Sequence, residues 1–253
     1  MARTADHGLS LPEGLPEGVQ LGLLDFCDAA REAFGDDLLS LVLFGSAAEA
    51  RMRVTSDVNL VIVLRAFAPM HANAIGESLR IASAAIKLRA MFIVEDELQL
   101  VAESFAVKFE DIVHRRHVIY GTDFFDGLTI PPAMIKPRLR QVLLNLVLRL
   151  RATYAMESHH EERLVREIAE TAAPLRSSAL AILLLQGTEV LSGKEALQQV
   201  AAQLSGGDWR EDLGLVSEAR EKASLPPGAA PPLLLRLIEL ATALRQRAES
   251  LCP

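Results

Sequence analysis

Apolar positions along the chain follow two patterns, a helical period and short continuous runs. Leu21, Leu24, Cys27, Ala30 and Phe34 recur at spacings of three and four across 17–34, which predicts an amphipathic helix ended by Gly35. Residues 38–44 and 58–64 are short runs dominated by Leu, Val and Ile and bounded by Gly, Ser, Asp or Thr, so they predict buried strands. Residues 70–87 have helical spacing interrupted only by Gly76. A third strand is predicted at 106–113 and a short one at 91–94, giving an α/β half with roughly three strands and two helices.

Pro131, Pro132 and Pro137 mark a join, after which Leu139, Val142, Leu143, Leu146, Leu150 and Tyr154 form a helical stripe. Segments 161–171, 177–191, 194–204, 208–222 and 232–250 continue in helical period, separated by Pro174, Gly187, Gly193, Gly206-Gly207 and the Pro226 to Pro232 loop. All nine Phe and Tyr120 lie before residue 132, whereas the later half packs with Leu and Ala, as a helical bundle would. The predicted organisation is therefore an N-terminal tail at 1–16, an α/β domain at 17–131 and a helical bundle at 132–253.

Composition narrows the function classes. The formal charge of −7, from 33 acids against 26 Lys and Arg, argues against a broadly basic nucleic-acid binder, so nucleic acid is not an expected partner. Mean hydropathy is +0.23, but the longest apolar runs, such as 179–185, fall far short of the roughly 20 residues that cross a bilayer, and no membrane association is predicted. The first residues lack an apolar core followed by a small-residue cleavage site. Cys27 and Cys252 lie at opposite ends of the chain, which fits a reducing compartment, and the predicted location is cytoplasmic.

Candidate chemistry concentrates between the first two strands. Leu-Val-Leu-Phe-Gly45-Ser46 is followed by ten residues and then Asp57-Val58-Asn59 opening the next apolar run. Gly45 at a strand end lets backbone approach a phosphate, and Ser46 adds a hydroxyl and an N–H. Asp57 and Asn59, two apart on a strand, share a face.

These residues resemble the nucleotidyltransferase superfamily, which includes polymerase β and the aminoglycoside nucleotidyltransferases, and whose signature is Gly-Ser, a spacer of about ten and Asp-x-Asp opening an apolar strand. The stretches Phe92-Ile-Val-Glu-Asp-Glu-Leu98, Glu103 to Ile112 and His117-Val-Ile-Tyr-Gly121 resemble a bacterial group of predicted nucleotidyltransferases with a helical C-terminal domain. The resemblance implies an α+β fold, a small mixed-sheet nucleotidyltransferase-like domain followed by an all-α bundle. It also implies a nucleoside triphosphate and Mg²⁺ as ligands, the ions held by two acids and a third from a neighbouring strand. By this resemblance Gly45, Ser46, Asn59 and Lys108 meet the nucleotide, Asp57, Asn59 and Glu110 meet metal, and Asp57 with Glu110 are the candidate catalytic acids.

The departures carry as much weight as the matches. Asn59 stands where the second acid is expected, and Lys108 where the group's later strand carries Glu. These changes take the site from about three negative charges to about zero. At 4 Å and an effective dielectric of 20 each unit-charge interaction is on the order of 4 kcal/mol, so affinity for paired Mg²⁺ falls sharply. Glu110, two residues from Lys108, is expected to share its strand face and supply a carboxylate, with Asp111 pointing the other way; alternatively, Lys108 stands in for a cation. Three readings follow. One is a catalytically impaired nucleotidyltransferase that binds a nucleotide or acts through its helical domain on a protein partner or as a homodimer. The second is an active Mg²⁺-dependent enzyme transferring a nucleotidyl group to a hydroxyl of a small molecule or protein. The third is an inert structural or dimerisation protein.

Other polar clusters have bland readings beside functional ones. His114-Arg115-Arg116-His117 reads as a solvated strand end or a phosphate contact, and Arg138, Arg140, Arg149 and Arg151 as a solvated helix face or as groups reaching phosphate. His159-His160 carries ligand atoms, but neighbours on a helix face different ways. Cys27 lies on an apolar stripe and reads as a buried structural thiol.

Overall fold

The computed structural model describes residues 8–53, 56–188, 192–204 and 207–251. The chain divides into two units, one comprising the residues up to Ala102 together with Asp111–Thr129, the other Glu103–Glu110 together with the residues from Ile130 onward. Positions 1–7 of the expected tail, 54–55 of the loop between the first strands, 189–191 of an expected helix, Gly206 and Cys252 lie outside the described residues.

The first unit is built on α1 (Glu17–Phe34), β1 (Leu38–Phe44), β2 (Val58–Leu64), α2 (Pro69–Ile86), β3 (Leu88–Val94) and β4 (Arg116–Gly121). Its sheet has the order β3-β2-β1-β4, with β1 antiparallel to β2 and β4, and β2 parallel to β3. The parallel pair requires a crossover, which α2 supplies. Every residue of β1 except Leu39, and every residue of β2 except Asn59, is buried, so both strands are covered on both faces and read as apolar runs rather than alternations. On one face Leu41, Leu43, Leu60, Ile62 and Leu88 pack with Leu23, Phe26, Cys27, Ala30 and Phe34 of α1 and Ile75, Ala82 and Ile86 of α2. Fully burying side chains such as Phe26 or Leu23 contributes about 1.5–3 kcal/mol each.

Several expectations need correction. The buried stripe of α1 runs through Leu23 and Phe26 rather than Leu21, which is 57% exposed. The segment 8–16 is tied to the sheet: Leu15 is buried, the Ser10 N–H donates to the Ile119 carbonyl at 2.9 Å, and the Ser10 carbonyl lies 2.9 Å from His117 Nε2. Residues 106–113 form no strand. They belong to α4 (Ala106–His114), preceded by α3 (Leu98–Ser104), and Ala106, Phe109 and Ile112 are buried at spacings of three, a helical rather than an alternating period. The last strand is instead β4, and β3 begins at Leu88, three residues before the expected short strand.

The second unit contains α5 (Pro132–Glu157), α6 (Glu161–Leu185), α7 (Gly193–Ala202), α8 (Arg210–Lys222) and α9 (Ala230–Ser250). Pro174 does not separate two helices but lies inside α6, and Pro137 lies inside α5. Helix α6 packs against α5, α7, α8 and α9, with Leu164, Ile168, Ala172, Leu175 and Ile182 fully buried. Among the described residues α6 is also the one helix long and apolar enough to cross a bilayer, with a window of mean hydropathy 1.4, where the short apolar runs predicted none. Just over half of that window is buried within the protein, as for the core helix of a bundle. Ser192 caps α7, accepting from the Glu195 N–H at 3.2 Å while its hydroxyl donates to the Glu195 carboxylate at 2.9 Å. Trp209 is buried, with the Arg236 guanidinium 4.0 Å from its ring centroid and a further tie from Arg236 to Asp212 at 3.2 Å.

Two stability predictions follow from this packing. Gly121 has φ +78° and stands so close to the Leu39 backbone that a Cβ would lie 2.0 Å from the carbonyl oxygen. Gly121→Ala is expected to lower unfolding free energy by roughly 2–5 kcal/mol, combining left-handed strain with overpacking, as read from urea denaturation. Ser192→Ala, which removes the α7 cap, is expected to cost about 1 kcal/mol in the same measurement.

Candidate functional site

Strand β1 delivers the Gly45-Ser46 turn and β2 delivers Asp57 and Asn59, and the β1–β2 register brings them together. Phe44 pairs with Asn59, and a Cβ placed on Gly45 would stand 3.9 Å from the Asn59 amide nitrogen. Gly45 itself has φ +71°, a conformation that turns the chain out of the ladder and favours glycine. The following turn is closed by backbone bonds from Arg51 N–H to the Ser46 carbonyl at 2.9 Å and from Ala50 N–H to the Ala47 carbonyl at 3.2 Å. Ser56 holds the other end, its hydroxyl accepting from the Arg53 N–H at 3.0 Å. Asp57, exposed just outside the ladder, precedes Asn59 by two residues and so shares its face.

The register also identifies the residue beside this pair. In the parallel β2–β3 ladder Asn59 is matched with Arg89, and on the other side Phe44 is matched with Arg116, so Arg89, Asn59, Phe44 and Arg116 form one row across one face. Arg116 is engaged, donating from Nε to both Asp123 carboxylate oxygens at 2.9 and 3.0 Å and from Nη1 to the Val113 carbonyl. Arg89 is exposed, and neither it, Asp57 nor Asn59 makes a side-chain hydrogen bond or ion pair with another described residue.

Arg89 is thus the residue beside Asn59 on a neighbouring strand, whereas Lys108, expected on such a strand, lies on a helix. Lys108 and Glu110 lie on α4, where residues two apart are about 200° apart around the axis, so they share no face. Glu110 therefore does not share a strand face with Lys108. Lys108 stands exposed on α4, yet loss of hydration around its ammonium lowers its pKa. The signal that could have found Arg89 was its place in Leu88-Arg89-Ala90-Met91, a polar residue inside an otherwise apolar strand, two positions upstream of where the short strand was expected to start.

The superfamily resemblance implies paired Mg²⁺, and the donor set does not fit it. Asp57, Asn59 and Arg89 offer one carboxylate, one amide and one guanidinium. Among the described residues no group of three or more His, Cys, Asp or Glu is placed to hold a metal ion. At equal distances the attraction of Asp57 for a cation and the repulsion by Arg89 cancel, and hard divalent ions need anionic oxygens in excess.

The remaining clusters have structural partners. Arg115 bridges Asp111 and Glu49, the latter at 3.2 Å, which ties the turn after β1 to the end of α4. With His117 on Ser10 and Arg116 on Asp123, the basic cluster at 114–117 fastens the sheet rather than forming a solvated strand end. In the helical unit Arg149 pairs with Glu167 at 3.1 Å, Arg140 with Glu249 at 3.6 Å, and Arg138 donates to Gln141 at 3.2 Å. Burial raises the Glu167 carboxyl, against the lowering effect of Arg149. His160 Nδ1 lies 3.2 Å from Glu157, and the buried Cys27 thiol is pushed up to about 12 by desolvation, which makes it an unreactive core group. A groove of about 580 Å³ between α5 and α9 is lined mostly by apolar surface, with Lys136 and the Arg140–Glu249 pair among its lining residues.

No family model and no curated protein matches the chain. Among solved structures, the crystal structure of the spectinomycin adenyltransferase AAD(9) from Enterococcus faecialis, with ATP and spectinomycin, superimposes with a TM-score of 0.63 at 14% sequence identity, covering 91% of this chain and 99% of that one. With its four-stranded mixed sheet and helical C-terminal unit, this chain has the nucleotidyltransferase fold.

Proposed function

We propose that the α/β unit binds a nucleoside triphosphate at the β1–β2 edge and that nucleotidyl transfer at this site is impaired. The observation that carries the reading is the pairing of Phe44 with Asn59, which sets the Gly45-Ser46 turn beside Asp57 and Asn59 within a fold shared with an adenyltransferase that binds ATP. Gly45 lets the backbone approach a phosphate without a side chain in the way, and the Ser46 hydroxyl donates to a phosphate oxygen. Asn59 can donate from its amide where a carboxylate would repel the same oxygen. Asp57 is the carboxylate on this face, and its role is to accept a proton from an acceptor hydroxyl. Transfer further requires stabilisation of charge on the departing pyrophosphate, which the superfamily obtains from metal. The donor set here does not retain two ions, so chemistry is slow or absent while binding persists.

Calorimetry on the full chain with ATP, GTP, CTP and UTP tests the reading, and binding of at least one triphosphate is expected. Ser46→Ala should weaken it about fivefold, the loss of one hydrogen bond worth about 1 kcal/mol. Absence of binding for all four nucleotides would overturn the proposal. Incubation with α-labelled triphosphates and a panel of hydroxyl-bearing small molecules and proteins should leave the label on the nucleotide; rapid label transfer would replace impairment with an active transferase.

A further inference from the structure

Arg89 is the feature that the proposed function does not use. It is the partner of Asn59 across the parallel ladder, about 4.8 Å away strand to strand, on the face that carries Asp57. It is exposed and has no hydrogen-bond or ion-pair partner among the described residues, unlike Arg115 and Arg116 of the same unit, which are each held by carboxylates. A guanidinium beside an amide and a single carboxylate is a poor cation site and a good oxyanion site. Its planar donors match two phosphate oxygens at once, and it is more weakly hydrated than an ammonium.

Resting on the nucleotide-binding reading above, we infer that Arg89 takes the place of the divalent cation, so that the site binds the metal-free triphosphate directly and does not need Mg²⁺. The charge logic then has the opposite sign from that of a metal-dependent transferase. Where carboxylates line a site, Mg²⁺ bridges two sets of anions and is required for affinity. Where a guanidinium faces the phosphates, Mg²⁺ neutralises the ligand's charge, competes for the same oxygens and is itself repelled by Arg89. Free triphosphate is the tighter ligand, and its Mg²⁺ complex the weaker one.

Direct measurement of ATP affinity for the full chain, once in EDTA and once in excess Mg²⁺, tests this. Affinity in EDTA is expected to equal or exceed that in Mg²⁺ by up to tenfold. Arg89→Ala should weaken binding in EDTA at least tenfold, and Arg89→Lys should fall between the two because it keeps the charge and loses the fork. The double variant Asn59→Asp with Arg89→Glu should reverse the sign, binding ATP in Mg²⁺ and losing it in EDTA. Because Arg89 is exposed, these chains should keep the unfolding midpoint of the parent, which the same samples report. Binding by the parent only in Mg²⁺, or Arg89→Ala binding in EDTA as tightly as the parent, would overturn the inference and leave nucleotide binding standing. No binding in either condition would overturn both.

Discussion

The pairing register of β1 with β2 is the constraint on which the rest of the first unit depends. Because side chains alternate between faces, a slip of one residue would carry Leu41, Leu43, Leu60 and Ile62 away from α1 and α2 and move Asn59 to the opposite face. Burial of both faces therefore fixes the register, and the register in turn fixes which polar residues meet. Asp57 and Asn59 are placed beside Gly45 by core packing some distance along the same strands, not by any hydrogen bond among themselves. The parallel match of β2 to β3 extends the same logic by one strand and sets Arg89 beside Asn59.

Electrostatics set this face of the sheet apart. Arginines 115 and 116 lie near the sheet, but each is neutralised by carboxylates and serves to hold the turn after β1 and the segment after β4. Arg89 has no ion-pair partner among the described residues and lies on the face that carries the Gly-Ser turn. The overall acidity of the chain has no bearing on this local balance, in which a carboxylate and a guanidinium offset each other.

The elements most legible in the sequence were those whose physical signal is redundant. The runs 38–44 and 58–64 carry β-branched and apolar residues at both parities, and the helical stripes of the second half recur over many turns, so α1, β1, β2, α5 and α9 fall close to their expected positions. Segment 106–114 misled because Val107, Phe109 and Val113 alternate as a strand would, while Ala106, Phe109 and Ile112 satisfy a helix; a short window admits both, and packing selects the second. Pro174 misled differently, since burial of the surrounding α6 surface outweighs the hydrogen bond that a proline removes. At the site, Gly45, Ser46, Asp57 and Asn59 could be grouped from spacing alone. Arg89 could not, because its neighbour is set by a crossover whose register no local pattern encodes.

The placement of Trp209 against Arg236 has an optical consequence. The chain has one tryptophan, and it lies in the helical unit, buried under a guanidinium. Intrinsic indole fluorescence therefore follows the melting of the bundle, whereas the sheet is represented in the near ultraviolet by Tyr120 and the phenylalanines around it. Emission above 320 nm thus reports the helical unit in the unmodified protein, whereas tyrosine absorbance mixes Tyr120 of the sheet with Tyr154 of α5.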